Sequence, residues 1–275
     1  MSIITDINSL HELPVFDSLT HITPTGKWFG TDHDAKIDRL INVFNPQIKK
    51  ALLVGMPGDD HSYLKQCCVQ HSDKFIGIGA IDIDDIISEE LIEKKINFLI
   101  GHGFKGIKIH PRLLNINLAH PIIPKIIQIA GKYDLVSLLC TVHVPPSSPV
   151  NRPIFDIIHQ ICDENKPNKI IFLHGGYYEL LATSEIIRRY KNALLDLSAT
   201  LLRYYQTSLF YDICFLLKTL DKQLCIGSDF PEATMNDVLN VFFEIIIPQI
   251  EISKDKLYRI FYGNLAQFFS LEALS

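Results

Sequence analysis

The chain has 275 residues, of which 47% are hydrophobic, and its 26 basic and 31 acidic side chains leave a net charge of −5. That composition supplies a large core and excludes a disordered or collagen-like chain. With no basic run, a nucleic-acid partner has no electrostatic footing. No apolar stretch reaches the ~18 residues of a membrane span. Leu239–Ile250 comes nearest, and Asn240, Glu244, Pro248 and Gln249 interrupt it. The opening segment MSIITDINSLHELP lacks a basic start and an apolar signal core, so no secretory signal is expected. Six cysteines without a C-x-x-C pair, mostly inside apolar runs, read as buried small hydrophobes suited to a reducing cytoplasm.

Strand and helix patterns alternate along the chain. Val15–His21 reads as a buried strand, followed by a helical pattern near Ala35–Asn45. Lys50–Met56 is a strand, Asp60–His71 a helix, Phe75–Ile81 a strand. Ser88–Gly101 is a helix, with Ser88 as N-cap and acids after it. Phe104–His110 is a strand closed by Pro111; Pro121–Tyr133 is helical. Leu135–His143 is a strand, Arg152–Glu164 a helix, Lys169–His174 a strand. Ser184–Tyr190 is helical, Ala193–Leu197 a strand, Leu209–Leu220 a helix and Leu224–Gly227 the last strand. Asn236–Ile247 and Ser253–Phe269 close the chain as helices. Eight strands, each followed by a helical stretch, predict a parallel sheet closed into a (β/α)8 barrel. An open doubly wound sheet would carry a glycine-rich loop after its first strand; this one ends in THITPTG. No linker or repeat divides the chain, so residues 1–275 are expected to form one domain.

The chemistry sits where these strands end. Of eleven histidines, most lie in loops or helices and read as structural. His21, His143 and His174 fall at predicted strand C-termini, and so does Asp229. Alternation puts Asp17, Leu19 and His21 on one face, Thr141 with His143, and Cys225 with Asp229. Strand C-termini of a barrel form the mouth where such enzymes work. Three nitrogen or oxygen ligands and one open position make a catalytic zinc site, and the metal lowers the pKa of its water to about 7. Lys108 and His110, two apart, share a face. Lys108 reads as a buried cation paired with an acid such as Asp17, and His110 and Arg112 as contacts for an anionic substrate. Asp196 and Ser198 read as caps or as partners orienting a histidine. Asn264 reads as a cap or a pin for the last helix.

The order of these pieces resembles a known family. His21, the run Gly103–Pro111 (GFKGIKIHP), His143, His174-Gly175-Gly176, Gly227-Ser228-Asp229-Phe230-Pro231 and Gly263-Asn264-Leu265-Ala266 together look like the amidohydrolase superfamily. More narrowly, they are similar to the amidohydrolase-related branch that includes aminocarboxymuconate-semialdehyde decarboxylase. The resemblance runs from Phe16 to Phe268 and implies a (β/α)8 barrel with one divalent metal, often zinc, and a homodimer. Its first-strand motif, Asp-x-His-x-His, reads here Asp17-Ser18-Leu19-Thr20-His21, so Leu19 replaces the first histidine. By position the resemblance makes His21, His143 and Asp229 the metal ligands. His174 becomes a base or substrate contact, and Asp229 a ligand that also accepts the water's proton. A fourth-strand lysine bridges two metals in binuclear relatives; the incomplete first-strand pair argues against that role for Lys108.

The reading that follows is a cytoplasmic hydrolase of a small-molecule ester, lactone or amide, with zinc as its metal and Asp229 and His174 as catalytic residues. Lys108, His110 and Arg112 would bind substrate. The alternatives are a decarboxylase of a small unsaturated or aromatic acid on the same site, and a barrel that has lost catalysis with Leu19 and only binds a ligand.

Overall fold

The computed structural model describes residues 12–59, 61–143 and 152–272. Asp60, predicted to open a helix, and most of the segment MSIITDINSLHELP lie outside them. Eight strands run in chain order: β1 Val15–Thr20, β2 Ile48–Val54, β3 Phe75–Ala80, β4 Gly106–Ile109, β5 Val136–Cys140, β6 Ile170–Leu173, β7 Ala193–Asp196 and β8 Leu224–Cys225. Each is parallel to its predecessor, in the order β1 to β8. The sheet curls into a nearly closed barrel. After β8 the chain meets β1 again, with Ser18 N donating to Ile226 O (3.2 Å), Asp229 N to Leu19 O (2.9 Å) and His21 N to Phe230 O (2.8 Å). This seam needs Gly227, since a Cβ there would lie 2.9 Å from Leu19 N.

Helices α1 Ile37–Asn42, α2 His61–Gln70, α3 Glu89–Gly101, α4 Ile122–Gly131, α5 Ile154–Glu164 and α6 Leu180–Ile187 follow β1 to β6 in turn. After β7 come α7 Thr200–Tyr204 and α8 Leu209–Thr219. After β8 come α9 Met235–Val241, α10 Lys254–Tyr258 and α11 Asn264–Phe268. Helix α3 shows why these segments are helical. Ser88 caps it by accepting from Leu91 N, and Ile92, Ile96 and Leu99 recur at helical spacing and are buried. Each such side chain contributes ~1.5–3 kcal/mol when fully buried. The inner side is a separate cluster in which Leu52, Ile78, Leu138, Ile171 and Leu194 meet Tyr262 and Leu265. Asn264 pins α11 to the barrel by donating to Asp221 O and Leu224 O (2.8 and 2.7 Å), as its position predicted.

Two strands depart from the expected alternation. In β1 the register shifts between Asp17 and Thr20. Phe16 and Leu19, three apart, therefore both join the inner cluster. Asp17 turns instead to the seam, accepting from Ser228 N (2.8 Å) and Ser228 Oγ (2.6 Å). It is not the partner of Lys108. In β5 the regular strand stops at Cys140, and it is Leu138 that joins the inner cluster. Thr141 donates to Leu173 O, and His143 lies beyond the strand.

Candidate active site

At the C-terminal ends of the strands lies a cavity of about 450 Å3. Its floor is polar: His21 from the end of β1, Lys108 from β4 and His110 just after it, Cys140 from β5, His174 after β6 and Asp229 after β8. Met56 adds a thioether. Trp28, Phe29 and Tyr177 give aromatic wall, and Arg112, Arg203 and Glu232 supply charge. Of the predicted residues, His21, Lys108, His110, Arg112, His174 and Asp229 converge here. His143 does not. Its Nδ1 donates to Thr141 O (3.1 Å), and its Nε2 accepts from Tyr178 Oη (2.9 Å).

His21 is held in one tautomer. Its Nδ1 must donate to the Val54 carbonyl (2.6 Å), so Nε2 carries a lone pair toward the lumen. Trp28 stacks on the ring at 5.2 Å and anchors its own indole by donating to Glu232 Oε1 (2.6 Å). The lone pair accepts from Lys108 Nζ at 3.1 Å, with Met56 Sδ 3.2 Å from the same nitrogen. Asp229 Oδ1 stands 3.6 Å from His21 Nε2. Burial, then the Lys108 charge, hold His21 well below the ordinary histidine range. Burial also lowers Lys108, against the pull of Cys140, Asp229 and Asp59.

His174 reaches the floor by backbone strain. It takes φ +64°, and Tyr177 (+61°), Ala199 (+57°) and Asp229 (+59°) also adopt left-handed backbone around the mouth. For non-glycine residues this costs on the order of 1–3 kcal/mol each and clusters at functional sites. Buried Asp196 holds the arrangement. It accepts from His174 N (3.3 Å), Ser198 N (3.1 Å) and the hydroxyls of Ser18 and Ser198. It therefore anchors the backbone of a histidine, whose ring is held by Ser198. His174 Nδ1 donates to Ser198 O (3.1 Å), which leaves Nε2 for the cavity that it lines with Cys140. Burial pushes His174 down, but the Cys140 bond and charge, with Asp229 and Asp196, raise it to about 9. Burial raises Asp229 above the usual carboxylate range, against the charges of His174 and Lys108.

The expected metal meets this donor set poorly. His21 and Asp229 face one another, but His143 points elsewhere, Leu19 offers no donor, and the Lys108 ammonium already takes the His21 lone pair. Among the described residues no group of three His, Cys, Asp or Glu side chains is arranged to hold an ion. As arranged, these residues do not fit a resident divalent metal, since an ammonium occupies the ligand's bonding direction.

Sequence reasoning missed Trp28, Cys140 and Arg203. Cys140 sits in the apolar run LVSLLC and was read with the other five cysteines as core. The other two lie on loops or short helices, where no periodicity marks them.

No family model matches the chain, and no curated protein matches it. Solved structures do. An uncharacterised TIM-barrel protein from Bordetella bronchiseptica aligns with TM-score 0.78 at 11% identity, covering 94% of this chain and 99% of that one. A proposed amidohydrolase from Staphylococcus aureus aligns with TM-score 0.67 at 15% identity, covering 94% and 100%. A 5-carboxyvanillate decarboxylase from Novosphingobium aromaticivorans, complexed with manganese and a nitrobenzoic acid, gives 0.64 at 15% identity, covering 94% and 96%. The likeness to these structures shows the (β/α)8 barrel, the fold that the alternation of strands and helices predicted.

Proposed function

We propose that this protein is an enzyme that hydrolyses an ester or lactone bond in a small planar organic acid. The observation that carries the reading is the convergence of His21, Lys108, His110, Cys140, His174 and Asp229 on the floor of one aromatic-walled cavity. Trp28, Phe29 and Tyr177 suit a flat substrate, and Arg112 and Arg203 suit its carboxylate. Lys108 supplies positive charge for the carbonyl oxygen as it turns negative. His174 and Asp229 move the proton between water and the leaving oxygen. A floor with this many hydrogen-bonding groups welcomes water, which hydrolysis consumes. The reading uses no resident metal, because the donors do not converge on one. The six unpaired cysteines suit a reducing compartment such as the cytoplasm.

Decarboxylation is the second reading, favoured by the likeness to solved decarboxylases. The same cations would hold the acid, and a proton would take the place of CO2 on carbon. The test is a panel of carboxylated phenyl esters, carboxylated lactones and hydroxybenzoates, following acid release and CO2 in parallel. Acid release without CO2 is expected. CO2 alone would move the protein to the second reading, and neither product would leave a ligand-binding barrel.

A further inference from the structure

Cys140 is a floor residue to which this chemistry assigns no role. It ends β5, is 2% exposed, and lines the cavity. The imidazoles of His110 and His174 line the same cavity. Leu113 N donates to His110 Nδ1 (3.3 Å), so the proton of a neutral His110 is on Nε2. His174, its Nδ1 proton committed to Ser198 O, keeps its Nε2 for the cavity. His174 is in turn anchored through its backbone to Asp196. A nucleophile and a base in one cavity, with a group that anchors the base, are the parts of covalent catalysis.

Resting on the hydrolase reading, we infer that Cys140 is a catalytic nucleophile and that hydrolysis passes through a thioester on its sulfur. The Cys140 sulfur attacks the acyl carbon, the bond from that carbon to the leaving oxygen breaks, and protonated His174 gives its proton to the leaving oxygen. Water then adds to the thioester carbon and surrenders a proton to neutral His174. The C–S bond breaks, the acid leaves, and the thiolate and the protonated imidazole are restored. One water is consumed per bond cleaved, and no redox partner is needed. Lys108, on the same floor, faces the oxygen that carries charge in both additions. The state of the sulfur agrees with this role. Burial alone pushes the thiol up, but the charges and hydrogen bonds of His110 and His174 outweigh it and hold Cys140 well below the ordinary thiol range. By contrast, burial raises buried Cys162 and half-buried Cys68 to about 12.

The experiment uses the full chain and two probes, p-nitrophenyl acetate as acyl donor and iodoacetamide as alkylating agent, read by acid-quenched intact mass and peptide mapping. Wild-type protein is expected to carry an acetyl group on the Cys140 peptide and to be alkylated there at least tenfold faster than at Cys67 or Cys68. His174→Asn should slow both reactions at least tenfold. Cys140→Ser and Cys140→Ala should lose at least 100-fold in ester or lactone turnover while keeping the wild-type melting temperature and circular dichroism. Turnover within threefold of wild type in Cys140→Ala overturns the inference and leaves the hydrolase reading standing. Absence of both the acetyl adduct and selective alkylation also overturns it. CO2 release with no ester or lactone cleavage removes both readings together.

Discussion

Lys108 Nζ donates to His21 Nε2 at 3.1 Å, in the direction a metal ion would need. The lone pair is aimed because Nδ1 donates to Val54 O, the same second contact that orients metal-bound histidines. A fixed ammonium there replaces a divalent charge with a single one and needs no carboxylate to neutralise it. The expected outcome is a purified protein with less than roughly 0.1 equivalent of zinc or manganese by elemental analysis, with turnover unchanged by chelator. Lys108→Met keeps the volume and removes the charge. It should lower kcat about 100-fold, the usual scale for losing one electrostatic contact to a developing oxyanion. Stoichiometric metal that chelator strips together with activity would sink this account.

His143 and Asp229 should behave oppositely, although their sequence positions offered both as ligands. His143 contacts Thr141 O and Tyr178, outside the cavity. His143→Ala should leave kcat/KM within about threefold, with a loss near 1 kcal/mol of stability from the lost hydrogen bonds. Asp229→Asn, on the floor, should cut kcat on the order of 100- to 10,000-fold, the range for a proton-moving group. Steady-state kinetics on the two variants decides between the ligand set implied by the family resemblance and the convergence seen in the barrel.

What the sequence made legible, and what it hid, follows from where strand alternation survives. The eight strands were readable because each is a buried apolar run followed by a helical period. Lys108 and His110 were readable because the alternation of β4 carries one residue past its end, so their two-residue spacing puts both in the cavity. His143 was misplaced because the inner side of this segment runs through Leu138, Cys140 and Val142, which leaves His143 on the other face. Asp17 was misplaced because a register shift in β1 resets the faces. His174 and Asp229 do reach the mouth, but through left-handed backbone that periodicity cannot foresee. Cys140 was hidden by its own chemistry, since a thiol at a strand end and a thiol in a core have the same apolar neighbours in sequence.

Arg203 gives a test of substrate class. Its guanidinium lies over the Tyr177 ring at 5.3 Å and over Tyr204 at 5.8 Å, which stiffens it at the cavity wall. These are wall contacts, so its contribution is to hold the substrate equally in ground and transition states. Arg203→Ala should therefore raise KM about 10- to 100-fold for a carboxylated ester with kcat nearly unchanged. The methyl ester of the same acid should lose that sensitivity. Equal effects on charged and neutral substrates would remove the carboxylate from the proposed recognition.

Asp17 makes the stability of the fold depend on pH in a way that a single substitution isolates. Burial raises its carboxyl to about 7 from 3.8, although the Ser228 and Leu19 hydrogen bonds pull it down. A folded value above the unfolded one means the native state binds the extra proton. Its stability contribution is present in full below pH ~4 and is lost as pH rises through about 7. The slope attributable to Asp17 in that window is about −1.4 kcal/mol per pH unit. Chemical unfolding of wild type and Asp17→Asn between pH 4 and 8 should give curves whose difference changes by a few kcal/mol across the window and flattens above pH 7. The amide cannot ionise, so the variant should be least handicapped, or more stable than wild type, at the alkaline end. A difference that is flat from pH 4 to 8 would mean that Asp17 stays ionised against Ser228, and that the β1–β8 seam closes around a charge.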